Sequence, residues 1–136
     1  MNIKHKNEVK SVFRLFLKKG ALYLDVKLLK KGTTLVIRIM EDMDHHSALY
    51  LRQKIDSEII KSTVKNIIFD FSKVNFMDSS GIGVVVGRYK NIQKLNGRAA
   101  IVNANPKIMQ IFEMSGVLKI IPAYTDLEDA ISSMCG

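Results

Sequence analysis

An α/β fold built on a mixed β-sheet is predicted by three observations. Two alternating apolar runs, LYLDVKLL and TTLVIRIM, flank KKGT at Lys30 to Thr33, the pattern of a β-hairpin with Gly32 supplying the turn. Further along, short β-rich runs alternate with stretches whose apolar residues recur at offsets of three and four, the spacing of helices lying on a core. Strands that alternate with helices pair as parallel neighbours, so the chain implies a sheet of about four to five strands with about four helices packed on it.

Each element has its own local reason. After the hairpin, EDMDHHS leads into a helix: Asp44 is a cap, and Ala48, Leu51, Ile55 and Ile59 form an apolar stripe through about Ser62. VKNIIFDF, Val64 to Phe71, reads as a buried strand. The next helix opens at Asp78-Ser79-Ser80-Gly81, with Ile82, Val85, Val86, Tyr89, Ile92 and Leu95 facing a core and Arg88, Lys90, Asn91, Gln93 and Lys94 facing water. Asn96 and Gly97 stop it because both tolerate positive φ. Gly83 and Gly87, four apart, leave one side of this helix bare, and close approach to the sheet is the expected reason. RAAIVNA, Arg98 to Ala104, is a short strand. Asn105 and Pro106 then start a helix carrying Ile108, Met109, Ile111 and Phe112 to a stop near Ser115 and Gly116. KIIPAY gives a last strand ended by Pro122. Thr125 or Asp126 caps a final helix with Leu127, Ala130, Ile131 and Met134 on its buried side.

The chain of 136 residues is long enough for one domain with a real core. Residues 1–20 read as a basic N-terminal extension of net charge +5, and residues 21–136 as the domain proper with the remaining +3 of the total +8. That balance argues against direct nucleic-acid binding. VFRLFL, between basic residues, reads as a short amphipathic helix or a tail, and Arg14 interrupts it as a signal sequence. No apolar run is long enough to cross a bilayer, and the single cysteine, Cys135, suits a reducing cytoplasm.

Chemistry-bearing patterns are few. At the Asp78 to Gly81 junction the first helical N–H groups lack intrahelical partners and carry partial positive charge, so a serine or aspartate cap and an anion are both favoured there. A hydroxyl at such a point is a natural place to add or remove a phosphate, although capping alone also accounts for these residues. GIGVVVG has GxGxxxG spacing, not the dinucleotide fingerprint, and no GK[ST] is present. His45 and His46 beside Asp44 lack further ligands for a metal, and no nucleophile and base pair is visible, so no catalytic residue, cofactor or metal is expected.

The segments MDHHSALYLRQKI, IIFDFSKVNFMDSSGIGVVVGRYKNI and MQIFEMSGVLKII resemble the anti-sigma-factor antagonists, the bacterial STAS-domain proteins, and most of all the sporulation type. The resemblance covers roughly residues 21–132. It implies a STAS-like mixed sheet with helices and no enzymatic activity. It also implies that Ser79, directly after the aspartate, is phosphorylated by an anti-sigma factor with serine kinase activity. The unphosphorylated protein would bind that kinase and release a sigma factor, and a PP2C-type serine phosphatase would restore binding. The implied partner surface comprises Asp44, Asp78, Ser79, Ser80, Gly81 and Ile82. A nucleotide-binding regulatory STAS protein and a general-stress antagonist of the same family are the alternatives. Where the family usually reads Gly-Glu before Met43 and Asp44, this chain has Glu41 and Asp42, and the shorter members lack the basic N-terminal segment.

Overall fold

Alternating apolar strands and amphipathic helices assemble as a sheet with helices on both faces in the computed structural model, which describes residues 8–16 and 23–134. The strands are β1 (Glu8–Phe16), β2 (Tyr23–Lys31), β3 (Thr34–Ile39), β4 (Asn66–Asp70), β5 (Ala99–Val102) and β6 (Ala123–Tyr124). The helices are α1 (His45–Lys61), α2 (Ser79–Lys94), α3 (Pro106–Ser115) and α4 (Leu127–Met134). The six strands lie in sequence order, β1 to β3 antiparallel and β3 to β6 parallel.

The period of two along each strand divides the core. Leu35, Ile37 and Ile39 of β3, Ile67 and Phe69 of β4 and Ile101 of β5 join the residues contributed by α1, α2 and α3. Val36, Ile68, Ala100 and Val102 turn to the other face, where Ala130 of α4 is buried with Leu127, Ile131 and Met134 around it. The β2–β3 turn uses Gly32 at φ +59, as its sequence predicts. Every parallel strand from β3 to β5 is followed by a helix, so the loops after them open on one end of the sheet.

Four expectations are corrected. The basic segment expected to stand apart as a tail or helix instead supplies β1, which pairs with β2 from Glu8↔Lys31 to Phe16↔Tyr23. The exposed edge of β2 offers unpaired backbone groups, and a β-branched, alternating sequence can satisfy them. Residues 1–7 and 17–22 lie outside the described residues, as does Cys135. The strand expected over Lys119 to Tyr124 is split: Val117–Lys119 form a 3₁₀ turn, Ile121 is fully buried, and only Ala123–Tyr124, after Pro122, pair with β5. Asn96 does adopt positive φ, at 61°, but Gly97 serves another purpose. A Cβ there would overlap the Lys65 carbonyl oxygen, so Gly97 lets the chain pass against the start of β4.

The fourth correction concerns α2. Its buried residues are Gly81, Val84, Val85, Arg88 and Ile92, whereas Ile82, Val86 and Tyr89 are only partly covered and Leu95 is exposed. Arg88 was expected in water. It lies instead against α1, 8% exposed, with Nε 2.9 Å from Asp56 Oδ1 as an ion pair without hydrogen-bond alignment, and its terminal nitrogen donates to the Val84 carbonyl at 3.3 Å. Asn91 donates to the same Asp56 oxygen at 3.1 Å. Burial pushes the guanidinium pKa down and Asp56 opposes that shift. α1 and α2 are therefore clasped by a polar contact inside an otherwise apolar seam.

Candidate functional site

Two helix starts are brought side by side by a single backbone bridge. Met43, before α1, pairs in parallel with Met77, before α2: the Met43 N–H donates to Phe76 O at 3.1 Å, and the Asp78 N–H donates to Met43 O at 3.2 Å. Both methionines are buried, which anchors the bridge in the core. The next residue on each side is a cap. Asp44 Oδ1 accepts the N–H groups of His46 and Ser47, each at 2.9 Å, and the Asp44 N–H donates back to Ser47 Oγ at 3.1 Å, a reciprocal capping box. Asp78 Oδ1 accepts the Ser80 N–H at 2.8 Å. The Ser47 amide lowers the Asp44 pKa against the opposing effect of burial, with the Ser47 hydroxyl and His46 helping, so that carboxylate stays ionised at neutral pH.

Asp42 supplies a support that the sequence did not announce. Its Oδ1 accepts the N–H groups of Asn75 and Phe76, at 2.7 and 3.0 Å, tying the loop before α2 to the loop after β3. The departure at Glu41 and Asp42 thus falls on the residue that holds the two loops together.

Ser79 is the first residue of α2 and is exposed. Among the described residues its hydroxyl has no hydrogen-bond partner, because Asp78 does the capping. Ser80 is partly covered, as are Asp78 and Ile82, and Asp44 is exposed. Gly81 differs from the other five: it is buried, and a Cβ there would lie 2.6 Å from Met77 Sδ, so it seats the helix over the anchored methionine and does not reach the surface.

Gly83 and Gly87 overturn their sequence reading. Neither has positive φ, and a Cβ on either would meet nothing within 4 Å. The bare side of α2 therefore faces outward, and offsets of four and eight place it in line below Ser79. Phe76, three residues ahead of Ser79, is 55% exposed, and Leu49 in the second turn of α1 is 46% exposed. The site therefore comprises a free hydroxyl at a helix start, two carboxylates, a side-chain-free strip and two exposed apolar groups. The glycine-containing segment lies within the helix, so it forms no phosphate-cradling loop. His45 and His46 are exposed with rings edge-on at 5.9 Å, and among the described residues no group of three His, Cys, Asp or Glu gathers.

The STAS domain family model matches residues 25–130. An anti-sigma F factor antagonist of Paenibacillus polymyxa is 32% identical over 111 residues, covering 82% of this chain and 95% of that protein. Another, from Lysinibacillus sphaericus, is 38% identical over 84 residues, covering 62% of this chain and 72% of that protein. Among solved structures, the unphosphorylated anti-sigma factor antagonist SpoIIAA matches with a TM-score of 0.71 and 34% identity over 79% of this chain and 94% of that one. The phosphorylated Bacillus SpoIIAA matches with a TM-score of 0.60 and 29% identity over 90% and 98% of the two chains.

Proposed function

The chain belongs to the STAS domain family and is an anti-sigma-factor antagonist, a binding protein and not an enzyme; we propose that the hydroxyl of Ser79 is its switch. In the unphosphorylated state the surface around Ser79 docks on an anti-sigma factor and so frees a sigma factor. That anti-sigma factor is itself a serine kinase, and transfer of a phosphoryl group to Ser79 Oγ ends the docking. A PP2C-type serine phosphatase removes the group and restores it. The cycle runs in the cytoplasm and serves sporulation.

The observation that carries this reading is the exposed, unpartnered Ser79 hydroxyl at the first residue of α2, with Asp78 already capping the helix. A kinase can reach such an oxygen without opening the fold. Phosphorylation adds about −1.5 to −2 charges and a bulky hydrated group. Asp44 and Asp78, held beside it by the Met43–Met77 bridge, add negative charge on the same surface. The bare strip at Gly83 and Gly87 allows a partner to approach the α2 backbone closely, and Phe76 and Leu49 supply apolar contact at its border.

Incubation with the kinase and ATP followed by peptide mass spectrometry tests the assignment. One phosphate on Ser79 is expected, with Ser79→Ala unmodified and still able to bind the kinase. A phosphate on Ser80 or elsewhere in the parent, or undiminished labelling of Ser79→Ala, would show that the switch lies at another residue.

A further inference from the structure

A cleft lies at the other end of α2. The last turns of α2, the start of β5, the β6 segment and the final turn of α4 line this half-open cleft of about 340 Å³, with Gln93 and Arg98 exposed to solvent. This volume falls within the lower range of small-molecule sites. Tyr89 and Gln93 enter from α2, Arg98 from the approach to β5, Tyr124 from β6, Ile120 from the preceding turn and Ser133 from α4. At 1.5 Å of rise per residue, Tyr89 and Gln93 are about 15–20 Å along the helix from Ser79.

Several side-chain polar groups of this cleft have no partner among the described residues, although Ser133 Oγ donates to the Ala130 carbonyl at 2.6 Å. Arg98 donates one terminal nitrogen to the Ser133 carbonyl at 2.9 Å, which fixes the guanidinium against the end of α4. Its other N–H groups have no partner among the described residues, nor have the Tyr89 and Tyr124 hydroxyls or the Gln93 amide. Among the described residues no carboxylate side chain lines the cleft, and Arg98 is the one cationic side chain there. An anchored guanidinium with spare donors matches the oxygens of an anion. Two phenol rings with Ile120 and Pro122 offer flat and apolar surface to the rest of a ligand. We propose that this cleft binds a small aromatic carboxylate, its oxygens on Arg98 and its ring against Tyr89 and Tyr124. The site is independent of the Ser79 reading, and neither stands or falls with the other.

Titration of the full chain with 2-naphthoate, followed by amide chemical shifts, tests it. Saturable shifts are expected at Gly97, Arg98, Tyr124 and Ser133, with the uncharged isostere 2-naphthalenemethanol at least tenfold weaker. Arg98→Gln should weaken naphthoate at least tenfold. Gln93→Trp, which fills the mouth and leaves the Arg98 to Ser133 contact in place, should abolish the shifts and decides the matter if Arg98→Gln fails to fold. Non-saturating shifts, equal affinity for the neutral alcohol, shifts centred elsewhere, or undiminished binding by Gln93→Trp would overturn the proposal.

Discussion

Gly83 and Gly87 test the docking surface and the fold in opposite directions. In a helix interior glycine is less favourable than alanine by about 0.8–1.0 kcal/mol, because it orders more backbone on folding. Both positions have ordinary helical φ, and a Cβ at either reaches nothing within 4 Å. An added methyl therefore neither clashes nor gains a neighbour, and the propensity difference remains whole. Gly83→Ala with Gly87→Ala should stabilise the isolated protein by about 2 kcal/mol. At a urea dependence of about 2 kcal/mol per molar, the unfolding midpoint should rise by about 1 M with an unchanged slope. The same variant should bind the anti-sigma factor at least tenfold more weakly, since two methyl groups now stand where its surface would meet the α2 backbone. A midpoint that falls would mean that the glycines are needed inside the molecule. A raised midpoint with undiminished binding would place the bare strip outside the interface.

Other substitutions probe the supports of the site. Asp78→Ala removes the α2 cap and should cost about 1 kcal/mol, whereas Ser79→Ala, one residue on, should change stability by less than about 0.5 kcal/mol; urea unfolding of the pair distinguishes cap from switch. Asp56→Ala leaves the Arg88 guanidinium buried without its counter-charge and should destabilise by about 2 kcal/mol, and restored stability in Asp56→Ala with Arg88→Met would confirm that the loss is an unpaired charge. At Asp70, which is fully buried, burial raises the carboxyl pKa, but the Ser72 amide and the Arg38 guanidinium at 2.8 Å outweigh it and the net shift is downward. A depressed folded pKa contributes stability above the unfolded value of about 3.9, lost as pH falls through the folded value. Asp70→Asn should accordingly be less stable at pH 7 and lose less stability than the parent between about pH 5 and 3.

The parts of the fold legible in the sequence are those where one residue and its near neighbours decide the outcome. Asp44, Asn105 with Pro106, and Gly32 each act within a turn of chain, and each was found in the role its type implies. The DSSG junction was legible for the same reason, and the serine after the aspartate does sit at a helix start. Contacts made by distant parts of the chain could not be read this way. Arg88 follows the polar spacing of a water-facing residue, and only Asp56 on another helix makes its burial tolerable. Gly81 and Gly97 are fixed by Met77 and by the Lys65 carbonyl, neither of which a local rule includes. The outward turn of Gly83 and Gly87 was missed because three consecutive valines suit either of two neighbouring stripes; the choice of Val84 and Val85 comes from α1 packing beside α2. Asp42 stands out in the sequence only as a departure from the family pattern, because its work is done on amides more than thirty residues away.

The placement of Ser79 also explains why a phosphate there should act on binding and leave the fold in place. In water, two unit charges at 4 Å interact by only about 1 kcal/mol, and physiological salt screens exposed charges beyond about 8 Å. On the exposed Ser79, each unit of phosphate charge is repelled by Asp44 and by Asp78 on that scale or less. The sum would reach about 3–4 kcal/mol only with both carboxylates at about 4 Å, and it falls with distance and salt. The positive start of α2 offsets about 0.3–1 kcal/mol of it. Docking removes that water. The same charges then sit in a medium of low effective dielectric with Phe76 and Leu49 against the partner, and a dianion without a counter-charge costs several kcal/mol to cover. Phosphorylated protein should consequently unfold at nearly the parent urea midpoint while its affinity for the anti-sigma factor falls by orders of magnitude. A large drop in the midpoint would locate the effect in the fold itself.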